Sequence, residues 1–300
     1  MKNSSLNKLF DLVAKQPRRR LVVANGTDQH SLEAISKAVH EGLVTVMVTG
    51  NENEIIRNCR LKGILVDSCE IVHCENDDEA VAKAVQIARN GQADIIMKGL
   101  ISTDKFMRAI LDKENGLLSE NTLLSHVALI KIPTYRKPLF VGDVAIIPNP
   151  TLEQKKQITN NLILVAKYFG IEIPKVAFLA ATEKIIAKMT ACTDAVQLKQ
   201  MWENGEFPNT ICDGPMALDL AVDKKSADIK GFVSPVAGDA DCLLFPNIES
   251  GNVFYKAVSK FCEPDIAAIV MGTSVPTVLS SRSDSIQTKL YSIALAALIG

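Results

Sequence analysis

A chain of 300 residues with 47% apolar and 22% charged side chains can bury a large core and is not a disordered segment. Its 33 lysines and arginines nearly balance 34 acids, leaving a net charge of −1, so a generic basic surface for nucleic acid or anionic lipid is excluded and any anion must be gripped locally. The length suits roughly two ordinary domains. Seven cysteines without a C-x-x-C pair or a Cys/His quartet suggest neither a disulfide framework nor a zinc site, and they read as small buried side chains in a reducing compartment. No secretion signal or apolar run of membrane-spanning length is visible, so the expected location is the cytoplasm.

In chain order, short apolar runs alternate with helical patterns, as in a parallel sheet with crossover helices. Leu21 to Ala24 and Val44 to Val48 predict strands, and Ser31 to His40 between them a helix with Leu32, Ile35 and Val39 on one face. Asp77-Asp78-Glu79 open a helix that closes at Arg89 before Gly91, with Val81, Ala84, Val85 and Ala88 inward. A strand over Ala93 to Met97 and a helix over Thr103 to Leu111 follow. Only a five-residue polar stretch separates the apolar runs Ser125 to Ile132 and Pro138 to Ile147, too little for a crossover, so an antiparallel pair is expected. Thr151 with Gln154 resembles a capping box for a helix carrying Ile158, Leu162, Val165 and Phe169. Lys175 to Ala181, Asp241 to Phe245 and Asp265 to Met271 predict further strands, and a last helix from about Ser285 is expected to bury Ile286, Leu290, Ile293 and Ala297.

Three turns carry possible chemistry. Neither a P-loop nor a G-x-G-x-x-G is present, and none of the four histidines has ligand spacing, so no metal site is expected. Lys98-Gly99-Leu100-Ile101-Ser102-Thr103 leaves a strand and enters a helix, where open α/β sheets bind ligands; the Lys98 ammonium with the Ser102 and Thr103 hydroxyls suits a phosphate, and a plain capped turn is the alternative. Asn247-Ile248-Glu249-Ser250-Gly251-Asn252 repeats the layout and could hold an anion, the diphosphate of a nucleotide-like carrier, or simply cap a helix. Ser280-Ser281-Arg282-Ser283-Asp284-Ser285 brings a guanidinium and several hydroxyls to the start of the last helix, the densest anion-binding signal in the chain, although Asp284 with Gln287 could be only a capping pair.

These segments, with Arg108, Leu124-Ser125-His126-Val127, Ile147-Pro148-Asn149-Pro150, Glu153-Gln154-Lys155 and Asp213-Gly214-Pro215-Met216, give the sequence a resemblance to the phosphate acetyl- and butyryltransferases, most strongly to the butyryl branch. The resemblance runs over nearly the whole chain. It implies two α/β/α domains with a cleft between them, as in the isocitrate and isopropylmalate dehydrogenases, divided as 1–132 plus 277–300 and 133–276. The implied reaction is acyl-CoA plus phosphate giving acyl phosphate plus CoA by direct attack, with CoA as a substrate, no cofactor, and a homodimer as the assembly. Ser281 would bond to the reacting centre and Arg282 would hold phosphate, with Arg108 as a second phosphate-binding arginine; Lys98, Ser102, Thr103, Asn247, Ser250, Gly251 and Asn252 complete the expected substrate contacts. The acetyl branch places a catalytic aspartate where this chain has Thr288, which leaves Asp284 as the nearest carboxylate for a base. Alternatives are a phosphate acetyltransferase, a metal- and NAD-dependent 2-hydroxy acid dehydrogenase of related fold, and a non-catalytic sensor of CoA or acyl phosphate.

Overall fold

The computed structural model describes residues 5–118, 122–281 and 284–300. Its strands are β1 (Arg19–Ala24), β2 (Val44–Gly50), β3 (Glu70–His73), β4 (Ile95–Lys98), β5 (Ser125–Lys131), β6 (Leu139–Gly142), β7 (Lys175–Leu179), β8 (Ile211–Met216), β9 (Cys242–Leu244), β10 (Asp265–Met271) and β11 (Thr277–Val278). Its α-helices are α1 (Lys8–Val13), α2 (Gln29–His40), α3 (Glu52–Lys62), α4 (Asp77–Arg89), α5 (Thr103–Ile110), α6 (Leu152–Tyr168), α7 (Thr190–Glu203), α8 (Leu218–Val222), α9 (Lys224–Ile229), α10 (Ile248–Phe261) and α11 (Ile286–Ile299). The chain forms two compact units, Met1–Leu124 with Ile266–Gly300, and Ser125–Asp265. Residues 125–132 group with the second unit, where β5 pairs antiparallel with β6, and residues 266–276 with the first, where β10 pairs with β11.

In the first unit the strand order is β3-β2-β1-β4-β11-β10, parallel from β3 through β11, with β10 antiparallel to β11. The direction in which successive strands are added reverses beside β1, which makes the carboxyl ends of β1 and β4 the favoured ligand position in such a sheet. The second unit has the order β5-β6-β9-β7-β8, parallel apart from the β5–β6 hairpin that the short polar connection predicts. β6 ends at Gly142, short of Ile147, because Asp143 turns the chain: its Oδ1 accepts the Ala145 and Ile146 N–H groups and its Oδ2 that of His126.

The helices follow their caps. Asp28, Asn51 and Asn76 each accept the N–H three residues on at the starts of α2, α3 and α4, and Thr151 with Gln154 closes the expected capping box on α6. α11 departs from the one-faced helix expected: Lys289 through Leu298 are all buried, while Ile286, expected inside, is half-exposed. Among the described residues no helix is long and apolar enough to cross a membrane. All seven cysteines are free; burial pushes the Cys212 thiol up to about 12 and the Cys242 thiol well above the ordinary range, so neither is a nucleophile near neutrality.

Candidate active site

The first unit gathers two of the three turns marked in the sequence. β1 and β4 come so close at their carboxyl ends that a side chain on Gly99 would land on the Asn25 carbonyl oxygen, which explains glycine after Lys98. Leu100 N–H donates to Asn25 O at 2.7 Å, and Asn25 Nδ2 donates to Leu100 O at 2.9 Å and to Asp77 Oδ1 at 2.8 Å, so the turn after β4 is locked to the turn after β1. Lys98 is only 3% exposed and its ammonium donates to the carbonyls of Gly99 and Ile101. That charge is buried beneath the turn and wrapped in backbone oxygens. It lies in a region where low dielectric strengthens charge interactions.

The turn before α11 sits beside it. Ser280 Oγ donates to the Lys98 carbonyl at 3.3 Å, joining segments 182 residues apart. Ser281 N–H donates to Asp284 Oδ2 at 2.7 Å, and Asp284 N–H donates back to Ser281 O at 3.2 Å, closing a tight reciprocal turn. Ser285, not Asp284, is the helix cap: its Oγ accepts the Thr288 N–H at 3.0 Å, which corrects the Asp284–Gln287 capping reading. Asp284 is thereby spent in part on holding Ser281. Thr288 meets the cap as well, its hydroxyl 3.0 Å from Ser285 Oγ. Arg282 lies outside the described residues.

Other expected contacts have internal work. Ser102 caps α5, its Oγ accepting from Lys105 N–H at 3.3 Å, and Thr103 is that helix's exposed first residue. Arg108, in the last turn of α5, is largely exposed and pairs with Asp104 at 3.0 Å, a surface ion pair worth little that a multiply charged ligand could displace. Ser281 and Lys98 therefore belong to one hydrogen-bonded cluster, whereas Arg108 stands outside it.

In the second unit, Asn247 is the cap of α10: its Oδ1 accepts the Ser250 N–H at 3.0 Å and the Ser250 hydroxyl at 2.8 Å. Gly251 allows α10 to rest on the turn after β6, because a Cβ there would lie 2.6 Å from the Asp143 carbonyl oxygen. Asn252 Nδ2 donates to Val144 O at 2.9 Å. The motif is thus a junction between α10 and the Asp143 turn, at which Asn247, Ser250 and Asn252 are half-exposed.

Sequence reasoning missed Asn25 and Lys289, and marked Ser280 only as one hydroxyl of the turn before the last helix. Asn25 takes a left-handed conformation, φ 53°, and the Asn25-Gly26 pair directly after an apolar run is the local hint that the sequence offers. Lys289 is 3% exposed on α11, and its ammonium donates to Ser280 Oγ at 3.1 Å and Ser281 O at 3.0 Å. Two buried ammonium groups, a serine turn and a helix start thus share the carboxyl end of one sheet, an environment fit to stabilise negative oxygens.

Comparison with known proteins agrees. The family described as phosphate acetyl/butaryl transferase matches residues 69–297. The chain is 40% identical over 295 residues to a phosphate butyryltransferase of Clostridium acetobutylicum, covering 98% of each. It is similar to the crystal structure of a branched-chain phosphotransacylase from Enterococcus faecalis, with a TM-score of 0.81, 30% identity and coverage of 93% of this chain and 99% of that one. A 4-hydroxythreonine-4-phosphate dehydrogenase from Burkholderia phymatum shares the fold alone, with a TM-score of 0.54 at 11% identity over 95% of this chain and 99% of that one. With the Lys98 and Ser281 turns in place and the match spanning both units, the chain belongs to the phosphate acetyl/butaryl transferase family.

Proposed function

We propose that this protein moves a short-chain acyl group, butyryl first, between coenzyme A and inorganic phosphate. The observation that carries the reading is the near full-length identity to a phosphate butyryltransferase. A phosphate oxygen attacks the thioester carbonyl to form the new C–O bond and a tetrahedral oxyanion, and the C–S bond then breaks as the carbonyl re-forms, releasing the CoA thiolate and the acyl phosphate. In reverse, the thiolate attacks the acyl phosphate and phosphate leaves. No covalent enzyme intermediate is needed, because holding both substrates in place and stabilising the oxyanion supply the rate.

In this proposal Ser281 bonds to the reacting centre, Arg282 and Arg108 hold phosphate oxygens, and Lys98 adds buried positive charge beneath them. Ser102 and Thr103 present hydroxyls at the start of α5, and Asn247, Ser250, Gly251 and Asn252 form the CoA-side junction on the second unit. Asp284 is assigned to the proton, although its bond to Ser281 N–H means it also shapes the turn. A thiol with an ordinary pKa of about 8.5 needs only modest assistance near neutrality. The proposal extends to the two-domain, dehydrogenase-like arrangement, to a homodimer and to the cytoplasm.

The test is release of free thiol from acetyl-, propionyl-, butyryl- and isobutyryl-CoA by the purified protein, with and without phosphate. Phosphate-dependent release, fastest with butyryl-CoA, is expected. Absence of release from all four, beside an active control enzyme, rejects the activity; fastest release from acetyl-CoA rejects the butyryl assignment.

A further inference from the structure

α11 is apolar on nearly every side, and Lys289 is the charged side chain set inside it. Removing an ammonium from water costs several kcal/mol unless the surroundings replace the lost hydration. Here they are specific. The Nζ atom donates to Ser280 Oγ at 3.1 Å and to Ser281 O at 3.0 Å, and the same Ser280 hydroxyl donates onward to the Lys98 carbonyl. Asp28, the cap of α2, and Asp284 are the carboxylates whose charge acts on Lys289, yet burial outweighs them and its pKa falls below the ordinary lysine value. Neither acid is an ion-pair partner. A lysine present only to neutralise them would bond to a carboxylate, whereas the hydrogen bonds of Lys289 to described residues go to two neutral groups on one turn.

We propose that Lys289 is a positioning residue of the phosphate-binding turn: its buried ammonium fixes the Ser280–Ser281 backbone and, through the Ser280 hydroxyl, ties that turn to the end of β4. The proposal rests on the acyl-transfer reading for its catalytic consequence. With the ammonium gone, Ser281 O loses a charged donor and Ser280 Oγ loses the partner that orients it, so the turn relaxes away from the geometry in which Ser281 meets phosphate. Misplacement of about 1 Å at a reacting centre costs on the order of 100-fold. Contacts that belong to the CoA side of the reaction are untouched.

The experiment compares the parent with Lys289→Met, Ser280→Ala, the double variant and Lys289→Arg. Inorganic phosphate is titrated by calorimetry without acyl donor, and kcat with separate KM values for phosphate and butyryl-CoA is measured by thiol release. Lys289→Met is expected to weaken phosphate binding by about 10- to 100-fold, as loss of a supporting hydrogen-bond partner does, with the KM for butyryl-CoA within about threefold of the parent. Lys289→Arg is expected to regain part of the loss. Because Lys289 acts partly through Ser280, the loss of phosphate affinity in the double variant should fall short of the product of the two single effects. Phosphate affinity in Lys289→Met within about threefold of the parent, equal loss on the phosphate and CoA sides, independent multiplication of the two effects, or a parent that binds no phosphate would each overturn the proposal. Should Lys289→Met not fold, Ser280→Ala alone decides by the same split. A parent that binds phosphate but releases thiol from no acyl-CoA instead removes the acyl-transfer reading, and the calorimetric comparison still decides on Lys289.

Discussion

Lys155 offers the sharpest test of how the second unit is held together. Its ammonium lies 2.6 Å from Asp194 Oδ2, linking α6 to α7, and the side chains are only 5% and 12% exposed. Lys155→Met keeps most of the apolar volume but leaves a buried carboxylate without its cation, a change that costs about 3 to 5 kcal/mol. Divided by a urea m-value of about 2 kcal/mol/M, this moves the unfolding midpoint down by roughly 2 M. Lys155→Met with Asp194→Leu removes both charges and should recover most of the loss, since apolar replacement of a buried pair is often neutral or better. The single tryptophan reports on the right element, because Trp202 lies on α7 and its indole N–H donates to Thr210 O. Urea unfolding followed by Trp202 fluorescence is therefore the assay. A single variant with a midpoint within about 0.3 M of the parent, or a double variant no more stable than the single, would refute the claim that the pair is desolvated and mutually dependent.

Two further changes test other parts of the chain. Gly251→Ala places a Cβ 2.6 Å from the Asp143 carbonyl oxygen and 3.1 Å from Val144 Cγ1. Overpacking of about 1 to 3 kcal/mol should exceed the helix-propensity gain of about 1 kcal/mol; the melting temperature should fall, and a rise would show that the close approach does not govern this position. Asp94 takes hydrogen bonds from Arg20 Nε and backbone N–H, and the guanidinium beside it holds its carboxyl below the usual carboxylate range. A depressed folded value means stability that is complete above the unfolded pKa of about 3.9 and is lost as pH falls through the folded one. Asp94→Asn should accordingly lower stability at pH 7 by a modest amount, as the partly exposed pair is screened, and the difference should vanish in acid; a difference unchanged down to pH 2 would contradict the linkage.

What could be read without coordinates depended on how local its cause was. The α5 and α6 starts were legible because each cap and the N–H it accepts lie close in sequence, three residues apart, and the α4 start because its first turn is acidic. α3 was missed because only Ile55 and Cys59 of its 11 residues are buried, too few to draw an apolar stripe, and β3 because its four residues sit half-exposed at a sheet edge, where alternation fades. The candidate site divides in the same way. Hydroxyls and cations at strand-to-helix turns mark Lys98, Ser102 and Ser281, since the turn chemistry is written in adjacent residues. The bond from Ser280 to Lys98 depends on β11 lying beside β4, a pairing between segments about 180 positions apart that no local pattern encodes.

Lys289 shows the limit most directly. In an apolar helix a lone lysine is ordinarily the solvent-facing residue, and the spacing of Ile286, Leu290, Ile293 and Ala297 supports that view. α11 instead runs inside the unit, packed against α1 and α2, so no face of its middle is outward and the charge is carried in with it. A buried ammonium must then find acceptors within reach of its own stem, and the turn eight to nine residues before it, Ser280–Ser281, is what the chain supplies. The apolar helix and the serine-rich turn are therefore one device: burying the helix forces the lysine inward, and the inward lysine requires the turn to present its oxygens to it. A residue that looks like surface filler on the helical wheel becomes, once the helix is enclosed, the group on which the geometry of the turn depends.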